Sequence, residues 1–94
     1  MSATHYVYIL KCADGKHYHG YTKDLKKRLA QHRSGESRAT GYRLPVQLVY
    51  FETFPTKTEA MRRERQLKGG RTRKEMKERL IKSFPREKLL PFLE

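Results

Sequence analysis

Cysteine is nearly absent from this chain. Cys12 is the only one among 94 residues, so no disulfide can close within the chain and no thiolate-only zinc site can be built. Long apolar runs are missing as well. None approaches the roughly 20 residues that span a bilayer, and no helical pattern joins a broad apolar face to a basic one, which argues against a membrane surface. The amino terminus Met1-Ser2-Ala3-Thr4-His5 runs straight into a strand pattern without a signal-peptide apolar segment. With the lone cysteine, this sets a cytoplasmic expectation. Acidic residues are scarce: 10 face 22 lysines and arginines, for a net charge of +12. In so short a chain that excess implies a polyanionic partner, most simply nucleic acid. A merely solvated basic surface, or a ribosome-associated protein without chemistry, is the plainer alternative.

The hydrophobic fraction is 36%, and six Tyr and four Phe add bulk. That supports one small core and a single domain over residues 1–94. His5 to Cys12 is aromatic and β-branched and reads as a strand (5–12). Ala13-Asp14-Gly15 is a turn, and a returning strand (16–21) carries Tyr18. Thr22 can cap a helix over 23–33, with Asp24 in its first turn and Leu25 and Leu29 facing the core. Ser34-Gly35 ends that helix, and residues 36–45 read as a mobile basic loop. A third strand covers 46–52. Thr56 and Glu59 have capping-box spacing and open a helix over 57–68, which Gly69-Gly70 closes. Thr72 and Glu75 repeat the spacing before a helix over 73–83. Leu89, Leu90 and Phe92 in the tail are expected to pack back on the core. The fold class is α+β, a small three-stranded antiparallel sheet flanked by helices.

Glu64 stands out in this pattern. It lies four residues after Ala60 and three before Leu67, on the stripe that should face the core with Met61. A carboxylate there needs a cation or a metal ion to meet it. Pairing with Arg63, Lys68 or a neighbouring helix would make it structural. Glu59 is already assigned to the cap, so Glu64 is the carboxylate left over.

Four features occur in order: Tyr6-Val7-Tyr8, Tyr18-His19-Gly20, a helix with Arg28 and His32, and a helix with Glu64. Together they resemble the GIY-YIG nuclease family, and the small stand-alone bacterial members in particular. The likeness covers nearly the whole chain and is more distant to the amino-terminal nuclease domain of the excision-repair endonuclease. It implies that Tyr6 and Gly20 are motif positions and that Tyr8, Tyr18, Arg28, His32 and Glu64 form the active site. Glu64 would hold one divalent cation, Mg²⁺ or Mn²⁺. The first tripeptide departs from the family in beginning with Tyr6 rather than glycine, and the second has His19 at its centre. The chain also contains no asparagine, although many members use one late in the domain.

These residue types suit phosphodiester hydrolysis. A hard divalent ion keeps several waters and needs few protein ligands, so one carboxylate suffices. The ion would stabilise the leaving 3′ oxygen, and Arg28 offers a planar donor fork to the phosphate. Tyrosine ordinarily titrates at about 10, so a tyrosine base needs neighbouring cations. Whether Tyr18, His32 or metal-bound water activates the nucleophile is left open by the sequence. Lys23, Lys26, Lys27, Arg38, Arg43, Arg62, Arg71 and Arg73 are expected to give a salt-sensitive grip on phosphates. The leading expectation is therefore a monomeric metal-dependent endonuclease acting on DNA, with branched or single-stranded forms in range. The alternatives are a nucleic-acid-binding module that keeps the fold without catalysis, and a basic interaction protein whose Tyr and Glu residues are structural.

Overall fold

The computed structural model describes residues 4–35, 45–68 and 71–92, with residues 71–73 described as backbone. The elements in chain order are β1 (His5–Lys11), β2 (His17–Thr22), α1 (Leu25–Arg33), β3 (Gln47–Phe54), α2 (Lys57–Lys68) and α3 (Arg71–Ser83). A 3₁₀ helix over Arg86–Phe92 follows. The three strands form one antiparallel sheet in the order β2-β1-β3, the α+β arrangement expected from the sequence.

β1 is central and covered on both faces, which explains its unbroken apolar run. Its side chains alternate between two cores. Tyr8 and Leu10 pack with Leu25 and Leu29 of α1, with Leu48, and with Leu89 of the tail. Val7 and Ile9 pack with Tyr50 and with Ala60 and Leu67 of α2, and Met76, Leu80 and Ile81 of α3 close that side. The hairpin turn forms where Asp14-Gly15 predicts it. Gly15 has a φ of 82°, a left-handed conformation that costs glycine little, and the Asp14 carboxylate accepts from the Lys16 amide at 2.9 Å.

Several details differ from the sequence reading. Asp24, not Thr22, caps α1: its carboxylate accepts from the Lys27 amide at 3.1 Å. Thr22 instead receives the Asp24 amide on its hydroxyl at 3.1 Å, so it supports the cap. The Thr56 cap of α2 forms as expected, with the Glu59 amide donating to Thr56 Oγ1 at 3.2 Å. α3 begins at Arg71, so Thr72 lies within the helix and not before it. Leu90 does not pack on the core and is 65% exposed. Leu89 and Phe92 occupy that side, and Arg33 of α1 donates to the Phe92 carbonyl at 2.6 Å, which fixes the tail with Leu90 outward. The expected loop lies almost wholly outside the described residues, as do Arg38, Arg43 and the Gly69-Gly70 stop.

Candidate active site

The two tripeptides are placed together by strand register. Tyr8 of β1 pairs with Gly20 of β2, and Leu10 pairs with Tyr18. Tyr8, Tyr18 and Gly20 therefore share the α1 face of the sheet. Gly20 is buried, and a methyl group there would lie 2.9 Å from Tyr8 Cε1 and closer still to Cζ and the hydroxyl. Real side-chain carbons do not approach so closely, so the Tyr8 ring occupies the space that glycine leaves.

α1 completes the cluster. Leu25, Leu29 and His32 are its buried residues, a stripe at helical spacing that ends in a histidine. The His32 ring lies 5.8 Å from that of Tyr8 and 5.2 Å from that of Tyr18, and the two tyrosine rings are 6.4 Å apart. Tyr8 Oη and His32 Nε2 are 2.9 Å apart in a fully buried hydrogen bond. Arg28 lies one helical turn before His32. Its guanidinium is held against the hydroxyls of Tyr8 and Tyr18, and these partners, Tyr8 foremost, raise its pKa above the ordinary arginine value. Arg28 Nη1 also donates to Gln31 Oε1 at 3.2 Å. Its Nε is buried without a hydrogen-bond partner.

The electrostatics follow from burial. Desolvation pushes the Tyr8 hydroxyl up to about 12, with Arg28 opposing the shift and the charges of Tyr18 and Glu64 adding to it. Tyr8 is therefore a firmly protonated donor at neutral pH. Burial and the Arg28 charge bring His32 down to about 4, so its ring is neutral. A neutral ring accepting the Tyr8 proton at Nε2 carries its own proton on Nδ1. The pair is thus pre-set as hydroxyl donor and imidazole acceptor.

Glu64 reaches this region from α2, on the other side of β1. Its side chain is 13% exposed, and its charge is felt at Tyr8. The expected pairing with Arg28 does not form. Glu64 Oε1 instead meets Lys68 Nζ at 3.4 Å, one turn along the same helix, while Arg28 is occupied by the tyrosines and Gln31. The structure thus brings Tyr8, Tyr18, Arg28 and His32 into one cluster with Glu64 at its electrostatic reach. Gln31 and Lys68 are the partners that the sequence reading did not assign to these roles, although both stand at the i+3 and i+4 positions where helix neighbours meet.

The basic residues divide. Lys23, Lys26 and Lys27 are exposed at the start of α1, near the cluster in sequence. Arg62 is exposed on α2 but lies two residues from Glu64, about 200° around the helix, in a shallow depression with Phe54, Glu59 and Gln66. It does not join the tyrosine cluster. Arg38 and Arg43 lie outside the described residues, and so do the side chains of Arg71 and Arg73. His19, at the centre of the second tripeptide, faces the α2–α3 side. Burial, then the charge of Lys77, lowers its pKa to about 4.

Among the described residues, no three His, Cys, Asp or Glu side chains are grouped so as to hold a metal ion. A protein-caged ion does not fit this donor set. A hard divalent ion does, because it can rest on the one carboxylate, Glu64, with water and phosphate oxygens completing its shell.

Comparison with known proteins agrees with this geometry. The family model described as the GIY-YIG catalytic domain matches residues 4–79, a span that includes all five residues named above. A UPF0213 protein of Staphylococcus saprophyticus is 49% identical over 74 residues, covering 78% of this chain and 90% of its own length. One from Natronomonas pharaonis is 46% identical over 82 residues, covering 86% and 94%. The solution NMR structure of a UPF0213 protein from Bacillus halodurans superposes with a TM-score of 0.55 at 44% identity, covering 89% of this chain and 90% of that one. The chain belongs to the GIY-YIG family.

Proposed function

We propose that this protein is a metal-dependent endonuclease that hydrolyses phosphodiester bonds in DNA, with branched or single-stranded substrates in range. The observation that carries the reading is the packing of Tyr8, Tyr18, Arg28 and His32 around one buried hydrogen bond, with Glu64 facing them. Arg28 presents a buried donor without a partner, and a phosphate oxygen would satisfy it and gain a charge-assisted bond. Tyr8, held protonated, orients Arg28 and His32 and cannot serve as a base at neutral pH. Proton transfer from water therefore falls to Tyr18 or to His32, whose neutral ring can accept a proton once the Tyr8 bond shifts. A divalent ion on Glu64 would supply Lewis-acid stabilisation of the leaving oxygen. The exposed lysines of α1 and the net charge of +12 supply the phosphate grip.

One observation favours a second reading, a nucleic-acid-binding module with weak or no catalysis. Glu64 is already paired with Lys68, and the chain has no asparagine. The deciding experiment incubates the protein with single-stranded, duplex and flap DNA in Mg²⁺ or Mn²⁺, beside Glu64→Ala. Cleavage by the native protein and none by the variant supports the nuclease. Equal cleavage by both removes Glu64 as the metal anchor. Salt-sensitive binding without cleavage in any condition leaves the binding module.

A further inference from the structure

A second feature of the molecule lies away from the tyrosine cluster. A cavity of about 580 Å³ opens between α3, the tail and the far end of the sheet, within the range of small-ligand sites. Its floor is apolar, with Leu48, Val49, Ile81, Phe84 and Leu89. Its rim carries Lys11, Lys82 and Arg86 against the single carboxylate of Glu78, with His17 beside them. The cations are exposed, so they are free to meet an anion.

Strand register helps to shape this cavity. Ile9 pairs with Tyr50 and Leu10 with Leu48, so Val49 has no partner on β1. Such a bulge bends an edge strand and re-aims its side chains, and bulges recur beside functional sites. Here the unpaired Val49 lines the cavity wall. The place is also close to the cluster along the chain. Lys11 is three residues beyond Tyr8 on β1, about 10 Å at ~3.3 Å per residue, and His17 directly precedes Tyr18 on β2.

We propose that this cavity is a nucleotide subsite, which takes one unpaired nucleotide with its base on Leu48, Ile81 and Phe84 and its phosphate on Lys82 and Arg86. The excess of cations selects an anion, and the apolar floor selects one with a flat hydrophobic part. A strand whose phosphate lies at the tyrosines can turn around the hairpin end and place a neighbouring unpaired base there. The proposal rests on the nucleic-acid reading above. It gives the protein a reason to prefer substrates with an unpaired segment next to the cleaved bond.

The test uses the full chain carrying Glu64→Gln, which holds substrate without the proposed metal anchor. Backbone amide shifts are followed while adding inorganic phosphate, a deoxynucleoside monophosphate, or a short oligothymidylate. The expected result is movement of Val49, Ile81 and Phe84 with the oligothymidylate. Movement with the mononucleotide alone would identify a free nucleotide as the source. Lys82→Glu with Arg86→Glu should weaken the oligothymidylate roughly tenfold and flatten its salt dependence by about two in log–log slope, ~0.9 for each lost phosphate contact. Both residues are exposed, so a thermal melt should show the variant folded. Identical shifts from inorganic phosphate alone overturn the base-binding part, and silence of these amides with every probe overturns the subsite. Shifts at Tyr18 and Arg28 report separately on the nuclease reading, which can stand when the subsite fails.

Discussion

Gly20→Ala tests whether Tyr8 sits where it does because its strand neighbour has no side chain. Gly20 has no positive φ, so alanine can adopt its backbone conformation and the whole penalty is steric. The added methyl would meet Cζ, Cε1 and the hydroxyl of a Tyr8 ring that is 0% exposed. Restoring ordinary contact requires the ring to move by about 1 Å. That displacement breaks or stretches the 2.9 Å bond to His32. Overpacking of this kind costs about 1–3 kcal/mol, and weakening the buried bond adds ~1 kcal/mol. Against this, alanine restricts the unfolded chain and returns ~0.5 kcal/mol. The net expectation is a loss of about 2 kcal/mol, which lowers Tm by roughly 10 °C for a domain of this size. Thermal and urea unfolding measure it directly, and the His32 ring resonances should shift. In a Tyr8→Leu background the clash disappears, so Gly20→Ala should there be neutral or slightly stabilising. The same cost in both backgrounds, or no cost in the native one, would refute the reasoning.

Other expectations follow from the same geometry. Glu64→Ala should abolish metal-dependent cleavage while changing stability by less than about 0.5 kcal/mol, because its partner Lys68 is 55% exposed and such i,i+4 pairs are weak; urea unfolding beside a nuclease assay checks both. His32 and His19 are held near 4, below the ordinary 6.5, so the unfolded chain binds more protons between those values. Stability should therefore be complete above about pH 6.5 and fall as pH drops toward 4, by up to roughly 1.4 kcal/mol per unit for each histidine; His32→Gln should reduce that slope in pH-dependent melts. Glu52 accepts from both Tyr50 and Arg63, the latter at 2.8 Å, so Glu52→Ala should cost about 1–2 kcal/mol in urea unfolding and leave cleavage intact. A loss of cleavage without a loss of stability in that variant would tie this network to the site.

Much of this architecture is written in local pattern. The strands, the hairpin turn and α2 stand within one or two residues of their sequence-based bounds, because aromatic and β-branched runs, Asp14-Gly15 and the Thr56 cap act over short range. What pattern could not give depends on how elements dock. The bulge at Val49 has no glycine to announce it and arises from pairing with β1. The choice of Lys68 over Arg28 as the partner of Glu64 depends on α1 and α2 lying on opposite faces of the sheet. Leu90 looks like a core residue until the tail winds as a 3₁₀ helix and turns it outward.

The candidate site was legible for a different reason. Two helices each carry an apolar stripe interrupted by one polar residue: His32 follows Leu25 and Leu29, and Glu64 sits between Ala60 and Leu67. Burial of a polar group costs free energy unless a partner repays it, so a stripe that accepts one needs something to receive it. For His32 the receiver is the Tyr8 hydroxyl, and Tyr8 in turn fits because Gly20 yields its space. Glu64 is different. Its helix partner Lys68 is more than half exposed and leaves a carboxylate that is only 13% exposed with little compensation, while its charge acts on Tyr8 from across the strand. A fold seeking stability alone would gain by placing an apolar residue at position 64, as Ala60 and Leu67 do on the same face. Keeping a carboxylate there, beside an arginine nitrogen without a partner, is the pattern of a site built to receive a cation and an anion together.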